Sequence, residues 1–515
     1  MTLTSIKSRF LISVVANIFR AGITFSAGIL VARGLNPSGY GDLTFLLGSF
    51  VAIRALIDMG SSSAFFTFLS KRARGRQFYL FYFSWLVLQF IITLLLVALL
   101  IPAGLFEKIW LGQPRETVVL AFVAAFMQQQ VWQMVGQIGE SARKTIKVQL
   151  LNIAVAMTYL AAISLLLVLH DMTVHGILWV TISLYAVAAI LSFRLLRERN
   201  TGYIEEALSY KQMLREYWMY CKPMLSLAIA GFLYAFSEKW MLQKFGGASQ
   251  QGFFQIASQF AQVSLLATVS IMNIFWKEIA EATARGDHNR VAVLYTKINR
   301  GLVMLSTVIA GLLLPWSQQI VAILLGSTYV DAWPVLAIMF VYPIHQSMGQ
   351  IGGTMFMACG NTKKYVVLSI TTMIFTLPFL YFALAPTSGV LIAGLGLGAI
   401  GMACYMVLTS VIAVNIQAWV IARHNGWKFD WLYQAIGIPL TIGLGLFAKA
   451  VTGLLWNVNG NEIVGLFIPI VASFVIYMTL VLPMIWLLPW LIGMKTEEMH
   501  NLFSTLRKGT ARAIH

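Results

Sequence analysis

Arg20, Arg54 and Asp58 are ionisable residues set inside long apolar runs. A charge placed in lipid is costly, so such a residue marks either a functional site or a closely partnered pair. Arg54 and Asp58 are four apart, which puts them on one face of a helix. At a rise of ~1.5 Å per residue all three fall at similar depth, near mid-membrane. Two guanidiniums against one carboxylate leave one positive charge over. A planar guanidinium fork binds phosphate oxygens in pairs and stays charged in an apolar setting. The chemistry implied is recognition of a diphosphate, with Asp58 holding or releasing an arginine. The plainer alternative is an Arg54–Asp58 pair that neutralises itself while Arg20 snorkels.

A second constellation is neutral. Gln133-Met134-Val135-Gly136-Gln137-Ile138-Gly139 returns as Gln346-Ser347-Met348-Gly349-Gln350-Ile351-Gly352, 213 residues later. Gln129, Gln133 and Gln137 share one helical face, as do Gln346 and Gln350, with His345 beside them. Amides and an imidazole exchange hydrogen bonds with sugar hydroxyls without a fixed charge, and Trp132 offers a ring on which a sugar face stacks. The competing reading is glue between helices: Gly136, Gly139, Gly349 and Gly352 permit close packing, across which glutamines bond. Glu238 and Lys239 read as a gate or coupling site, or as a simple pair near the outer face.

Other arrangements fail their chemistry. His170, Asp171 and His175 lack the spacing and number of a metal site, so no metal is expected. There is no nucleophile–base–acid set and no nucleotide-binding motif, which implies neither an enzyme nor a cofactor. Gly396-Leu397-Gly398-Ala399-Ile400-Gly401 spells a dinucleotide fingerprint but follows no strand; helix packing through Gly394 and Gly398 is the expectation.

The elements that must position these residues are membrane helices. The chain is 59% hydrophobic and 11% charged, against about 25% charged in soluble domains. Fourteen spans are expected, at about 10–32, 42–66, 78–101, 117–139, 148–168, 176–194, 218–242, 251–275, 300–325, 333–358, 365–384, 390–421, 432–452 and 463–490. Most of the 36 basic residues fall on alternate loops, among them Lys71 to Arg76, Arg143 to Lys147, Lys363 and Lys364, and Lys495 to Arg512. The positive-inside rule then puts both termini in the cytoplasm. The net charge of +17 is therefore a topology signal with attraction to anionic membrane lipids, not a nucleic-acid footprint. Cys221, Cys359 and Cys404 sit in or beside apolar runs and imply no disulfide framework. In the tail, Met499, Leu502, Phe503 and Leu506 have the spacing of an amphipathic helix on the inner leaflet.

A further offset supports duplication. Arg33 and Gly41 match Lys244 and Gly252, and Ala73-Arg74-Gly75 matches Ala284-Arg285-Gly286, each 211 residues apart. The expected architecture is an all-α integral membrane protein with two parallel six-helix repeats and two extra helices: residues 1–209, 210–422 and 423–492, then a cytoplasmic tail at 493–515. Parallel repeats of this kind form alternating-access transporters.

The stretch Val31-Ala32-Arg33-Gly34-Leu35-Asn36-Pro37-Ser38-Gly39-Tyr40-Gly41-Asp42-Leu43, with Ile57-Asp58-Met59-Gly60, resembles the opening of bacterial polysaccharide transporters. Lys277-Glu278-Ile279-Ala280 followed by Ala284-Arg285-Gly286-Asp287 resembles them too. These belong to the multidrug/oligosaccharidyl-lipid/polysaccharide exporter superfamily. The resemblance implies a flippase of the bacterial cytoplasmic membrane that moves undecaprenyl-diphosphate-linked oligosaccharide (O-antigen, exopolysaccharide or capsule units) between leaflets. Its partners would be that substrate, membrane lipids and other glycan-assembly membrane proteins. An ion-coupled drug/cation antiporter of the same superfamily and a glycan polymerase or ligase are the alternatives. The antiporter favours uncompensated carboxylates, and the polymerase a large outer loop; neither is evident.

Overall fold

The computed structural model describes residues 6–71, 74–196, 209–456 and 463–499. The tail residues Leu502, Phe503 and Leu506 lie outside the described residues. Among the described residues every regular element is helical.

Among the described residues eleven helices are long and apolar enough to cross a membrane, and a pair bent by 43°, Ser327–Met339 with Tyr342–Ala358, makes a twelfth span. The stretch Ser13–Asp58 has 46 residues and comprises two spans. With Ala248–Ser264 and Leu266–Ala284 taken as one more, the expected fourteen are present. The chain is a multi-pass membrane protein.

Spans 1 and 2 lie within Ile6–Asp58 as two helices that meet at a kink at Asn36, with φ 60° and ψ 169°, inside the gap expected between them. The cause is Pro37: it lacks an N–H, clashes with the preceding turn and pushes the residue before it out of the helical region. Span 2 also stops earlier than its apolar run. Met59 and Gly60 adopt positive φ (43° and 85°), and a separate helix follows at Ser61–Lys71.

Span 4, Arg115–Ser141, carries a π turn at Met127–Val131. Such a turn takes more residues than an α turn, so side chains four apart line up more nearly. Span 12 begins at Gly398, not near 390. Gly396 and Gly398 have φ of 60° and 53°, and the backbone N–H groups of Leu395 and Gly396 bond back to the carbonyls of Phe382 and Ala385 at the end of span 11. The expected helix packing through Gly394 and Gly398 is replaced by a cap. Only glycine takes these dihedrals freely, so the helix cannot run through them.

The chain forms two compact units. The first comprises Met1–Gln255 and Met373–Ala399, the second Ile256–Thr372 and Ile400–His515. In the first unit spans 2 and 8 cross at two glycines. A Cβ on Gly41 would lie 3.0 Å from the Gly252 nitrogen, and one on Gly252 would lie 3.3 Å from the Gly41 nitrogen. Asp42, next along, accepts from Gln113 at 2.8 Å and Gln243 at 2.9 Å.

In the second unit, span 9 (His288–Leu324) packs against spans 10 and 13, and span 13 (Leu432–Leu455) against span 14 (Ile463–Leu487). Arg300 of span 9 grips Asp430 through Nε at 2.7 Å and Nη2 at 2.9 Å. It also donates to the Trp490 carbonyl and lies over the Tyr433 ring. A bidentate fork of this kind is among the stronger polar contacts available. It ties the start of span 13 and the end of span 14 to span 9.

Candidate functional site

The break after span 2 organises the site. A helix that stops within the bilayer leaves backbone groups without partners, and neighbouring helices must satisfy them. Asp58, 9% exposed, does so from its own end of the break. It accepts from the Ser62 backbone N–H at 3.0 Å, the Ser62 hydroxyl at 2.7 Å and the Ser61 hydroxyl at 2.9 Å. The carboxylate thereby satisfies the N–H of the second residue of Ser61–Lys71, as a capping side chain does, from two residues ahead of the cap position. Gln89 of span 3 donates to the Ile57 carbonyl at 3.0 Å, and Gln137 of span 4 to the Ser62 carbonyl at 3.1 Å. Trp85 donates to Ser61 Oγ at 3.2 Å.

Arg54, one turn earlier, turns away from Asp58 to span 4. Its Nη1 donates to Gln129 Oε1 at 3.1 Å and its Nη2 to Gln133 Oε1. No carboxylate pairs with it among the described residues. Arg54 is half-buried and borders a recess of about 20 Å³ lined by Phe50, Ile53, Ile57, Phe122, Phe126 and Gln129. The π turn begins two residues before Gln129, so both amides reach the same guanidinium. Amide oxygens orient and partly desolvate a guanidinium without cancelling its charge. An anion arriving there meets a full positive charge and can displace neutral ligands.

Arg20 is exposed and makes a long bond to Asn17 Oδ1 at 3.4 Å. It is near enough to act electrostatically on Tyr185. Around Tyr185 gather Gln128, which donates to its hydroxyl at 3.3 Å, and Trp132, edge-on at 5.9 Å. The Trp132 indole N–H goes to Asn152 at 3.0 Å. Arg54 with Gln129 and Gln133 thus forms one group, Asp58 with Ser61, Ser62 and Gln137 a second, and Arg20, Tyr185 and Trp132 lie in a third.

Glu238 and Lys239 do not form an ion pair. Lys239 donates to Gln255 at 2.9 Å and lies over the Phe254 ring, while Glu238 bonds to Tyr234. The second glutamine stripe is also used differently from the first. His345 is buried, and its Nε2 meets Gln434 Oε1 of span 13 at 3.1 Å. Gln434 in turn exchanges bonds with Asn415 of span 12, so His345 is part of a seam joining spans 10, 12 and 13. Gln350 Oε1 is buried without a partner, and Gln346 is half-buried. Gly349 and Gly352 face Val414 and Gln417 of span 12, at 2.9 and 2.8 Å from an added Cβ. Close packing accounts for those glycines, as it does for Gly139 against Val148 and Leu196.

Trp85, Gln89, Ser61 and Ser62 are site residues that sequence reasoning did not single out. Their signal was present: Asp58-Met59-Gly60-Ser61-Ser62 is a helix stop followed by a cap and start, set inside an apolar run. Among the described residues there is no group of three or more potential metal ligands.

No family model matches the sequence, and no curated protein matches it. Solved structures do. The lipid II flippase MurJ in its inward closed conformation aligns with a TM-score of 0.65 at 14% identity, covering 92% of this chain and 99% of that one. An inward-facing multidrug resistance MATE family transporter aligns at 0.57 and 16% identity, over 78% of this chain and 95% of that one. A transporter from Pyrococcus furiosus, described as having a binding pocket of reversed polarity, aligns at 0.55 and 14%, over 82% and 96%. The two transporters are described as members of the MOP (multidrug/oligosaccharidyl-lipid/polysaccharide) exporter superfamily, and the likeness shows that this chain has their fold.

Proposed function

Because the chain has the fold of that exporter superfamily, we propose that it is a flippase for a lipid-linked oligosaccharide, taking the diphosphate at Arg54. The observation that carries this reading is the partner set of Arg54: two amide oxygens and no carboxylate. A guanidinium kept charged, oriented and reachable inside a membrane span suits an anionic headgroup. Arg20 supplies a second cation in the same unit, and Gln129, Gln133, Gln137 and Trp132 supply the hydroxyl-bonding wall for the sugars. His345, Gln346 and Gln350 are the corresponding stripe of the second unit. The lipid tail stays in the bilayer, and alternating access carries the headgroup from the inner to the outer leaflet of a bacterial cytoplasmic membrane.

A cation antiporter is less well supported. The carboxylate nearest Arg54 in sequence, Asp58, has both oxygens engaged by Ser61 and Ser62 and offers a cation little. The experiment that tests the proposal is surface-glycan formation in cells whose only copy carries Arg54→Ala. Glycan is expected to fall at least tenfold with the protein still in the membrane; unchanged glycan would contradict the reading.

A further inference from the structure

The basic face of the second unit divides into two kinds of cation. Toward the segment joining spans 8 and 9, and at the start of span 13, the cations have carboxylates. Lys277 and Arg285 meet Glu281, Arg290 meets Glu278 at 2.7 Å, Lys297 meets Glu498 at 2.7 Å, and Arg300 meets Asp430. At the adjoining ends of spans 11 and 12 the pattern reverses. Lys363, Lys364, Arg423 and Lys428 have no carboxylate partner among the described residues. The sequence explains why: no Asp or Glu occurs between Asp331 and Asp430.

These cations come from two segments that meet. Lys364 Nζ donates to His424 Nδ1 at 2.9 Å. Since the ammonium can only donate, that imidazole nitrogen is the acceptor, and Nε2 carries the hydrogen. Lys363, Lys364, Arg423, His424 and Lys428 are all exposed. The cluster therefore presents donors and positive charge to its surroundings.

What lies one turn further into the membrane decides the occupant. Val367, four residues on from Lys363, is 65% exposed, and Trp419, four before Arg423, is 45% exposed with Arg423 over its ring at 5.3 Å. Cations backed by exposed apolar side chains on the membrane side match a molecule with a phosphate at one end and acyl chains behind it. A free anion would have no use for the apolar part.

We infer that the adjoining ends of spans 11 and 12 form a binding surface for an anionic phospholipid, its phosphate held by Lys363, Lys364, Arg423 and Lys428 and its acyl chains lying along Val367 and Trp419. Juxtamembrane cations of this kind attract acidic headgroups. The surface is separate from the Arg54 network and does not rest on the flippase reading.

The test uses the full chain in nanodiscs of phosphatidylcholine, titrated with phosphatidylglycerol while bound lipid is read by native mass spectrometry. Lys363→Gln/Lys364→Gln/Arg423→Gln/Lys428→Gln is compared with Lys277→Gln/Arg285→Gln/Arg290→Gln/Lys297→Gln, which removes the same charge from paired positions. The expected result is at least tenfold weaker phosphatidylglycerol binding in the first variant and little change in the second. Equal losses in both would overturn the inference, as would unchanged binding in the first. Displacement of the lipid by millimolar inorganic phosphate would overturn it too, by assigning the cluster to a free anion. If the first variant does not fold, Val367→Asn with Trp419→Asn tests the acyl contact alone and is expected to weaken binding with every cation kept; unchanged lipid binding there would count against the inference.

Discussion

Arg54 and Asp58 stand one turn apart on span 2 and have no bond to each other: the guanidinium binds Gln129 and Gln133 of span 4, and the carboxylate caps the helix that starts at Ser61. The two charges therefore have separate jobs. Asp58 secures a break in the membrane helix, and Arg54 keeps its charge for something else.

Replacement of Asp58 separates capping from charge neutralisation. Asparagine caps nearly as well as aspartate, whereas alanine loses about 1 kcal/mol. Asp58→Asn is expected to keep most of the stability that Asp58→Ala loses, as read from melting of the purified protein. If Asp58 were the counter-ion of Arg54, both variants would lose the same interaction and melt alike.

Gln129→Leu with Gln133→Leu strips the guanidinium of its amide partners. A half-buried charged donor left unpaired costs on the order of 1–3 kcal/mol, so the double variant is expected to melt lower and to transport poorly. The single variants, each leaving one amide, are expected to be milder. An additive pair of small effects would show that the two amides act independently and not on one group.

Gly41 and Gly252 pack on each other in the first unit. A Cβ on Gly41 would also lie 2.6 Å from the Ala248 carbonyl carbon, and one on Gly252 would lie 3.1 Å from that of Pro37. Backbone atoms cannot move aside as a side chain tip can. Gly41→Val and Gly252→Val are each expected to destabilise by roughly 1–3 kcal/mol through overpacking. Gly104→Val, at a position with nothing within 4 Å, is the control and is expected to be silent in the same melting measurement.

Arg300→Lys keeps the charge but not the fork that holds Asp430. A loosened end of spans 13 and 14 is expected, read as faster hydrogen exchange at residues 430–436 and 488–493, with the rest of the chain unchanged. Arg300 and Asp430 are partly exposed, so water moderates the loss and the effect stays local.

Much of the fold was legible because apolar length and the placement of Lys and Arg are coarse, additive signals. Fourteen spans followed from them. What escaped were breaks inside apolar runs: Met59-Gly60 and Gly394 to Gly398 both lie in stretches hydrophobic enough to read as continuous helix, and backbone dihedrals outweighed hydropathy at each. The polar residues were visible as anomalies, but partner choice was not. Helical spacing puts Arg54 and Asp58 on one face, and puts His345 near Gln346. It cannot tell that a π turn brings Gln129 and Gln133 to Arg54, or that His345 faces Gln434, 89 residues further along the chain.

The central claim is tested most directly by flipping in proteoliposomes. A fluorescent polyprenyl-diphosphate oligosaccharide is placed in both leaflets, and its accessibility to an external quencher or hydrolase is followed over time. The wild-type chain is expected to expose the inner-leaflet pool, Arg54→Lys to do so more slowly, and Arg54→Ala to fall at least tenfold. Equal rates for wild type and Arg54→Ala would contradict the account.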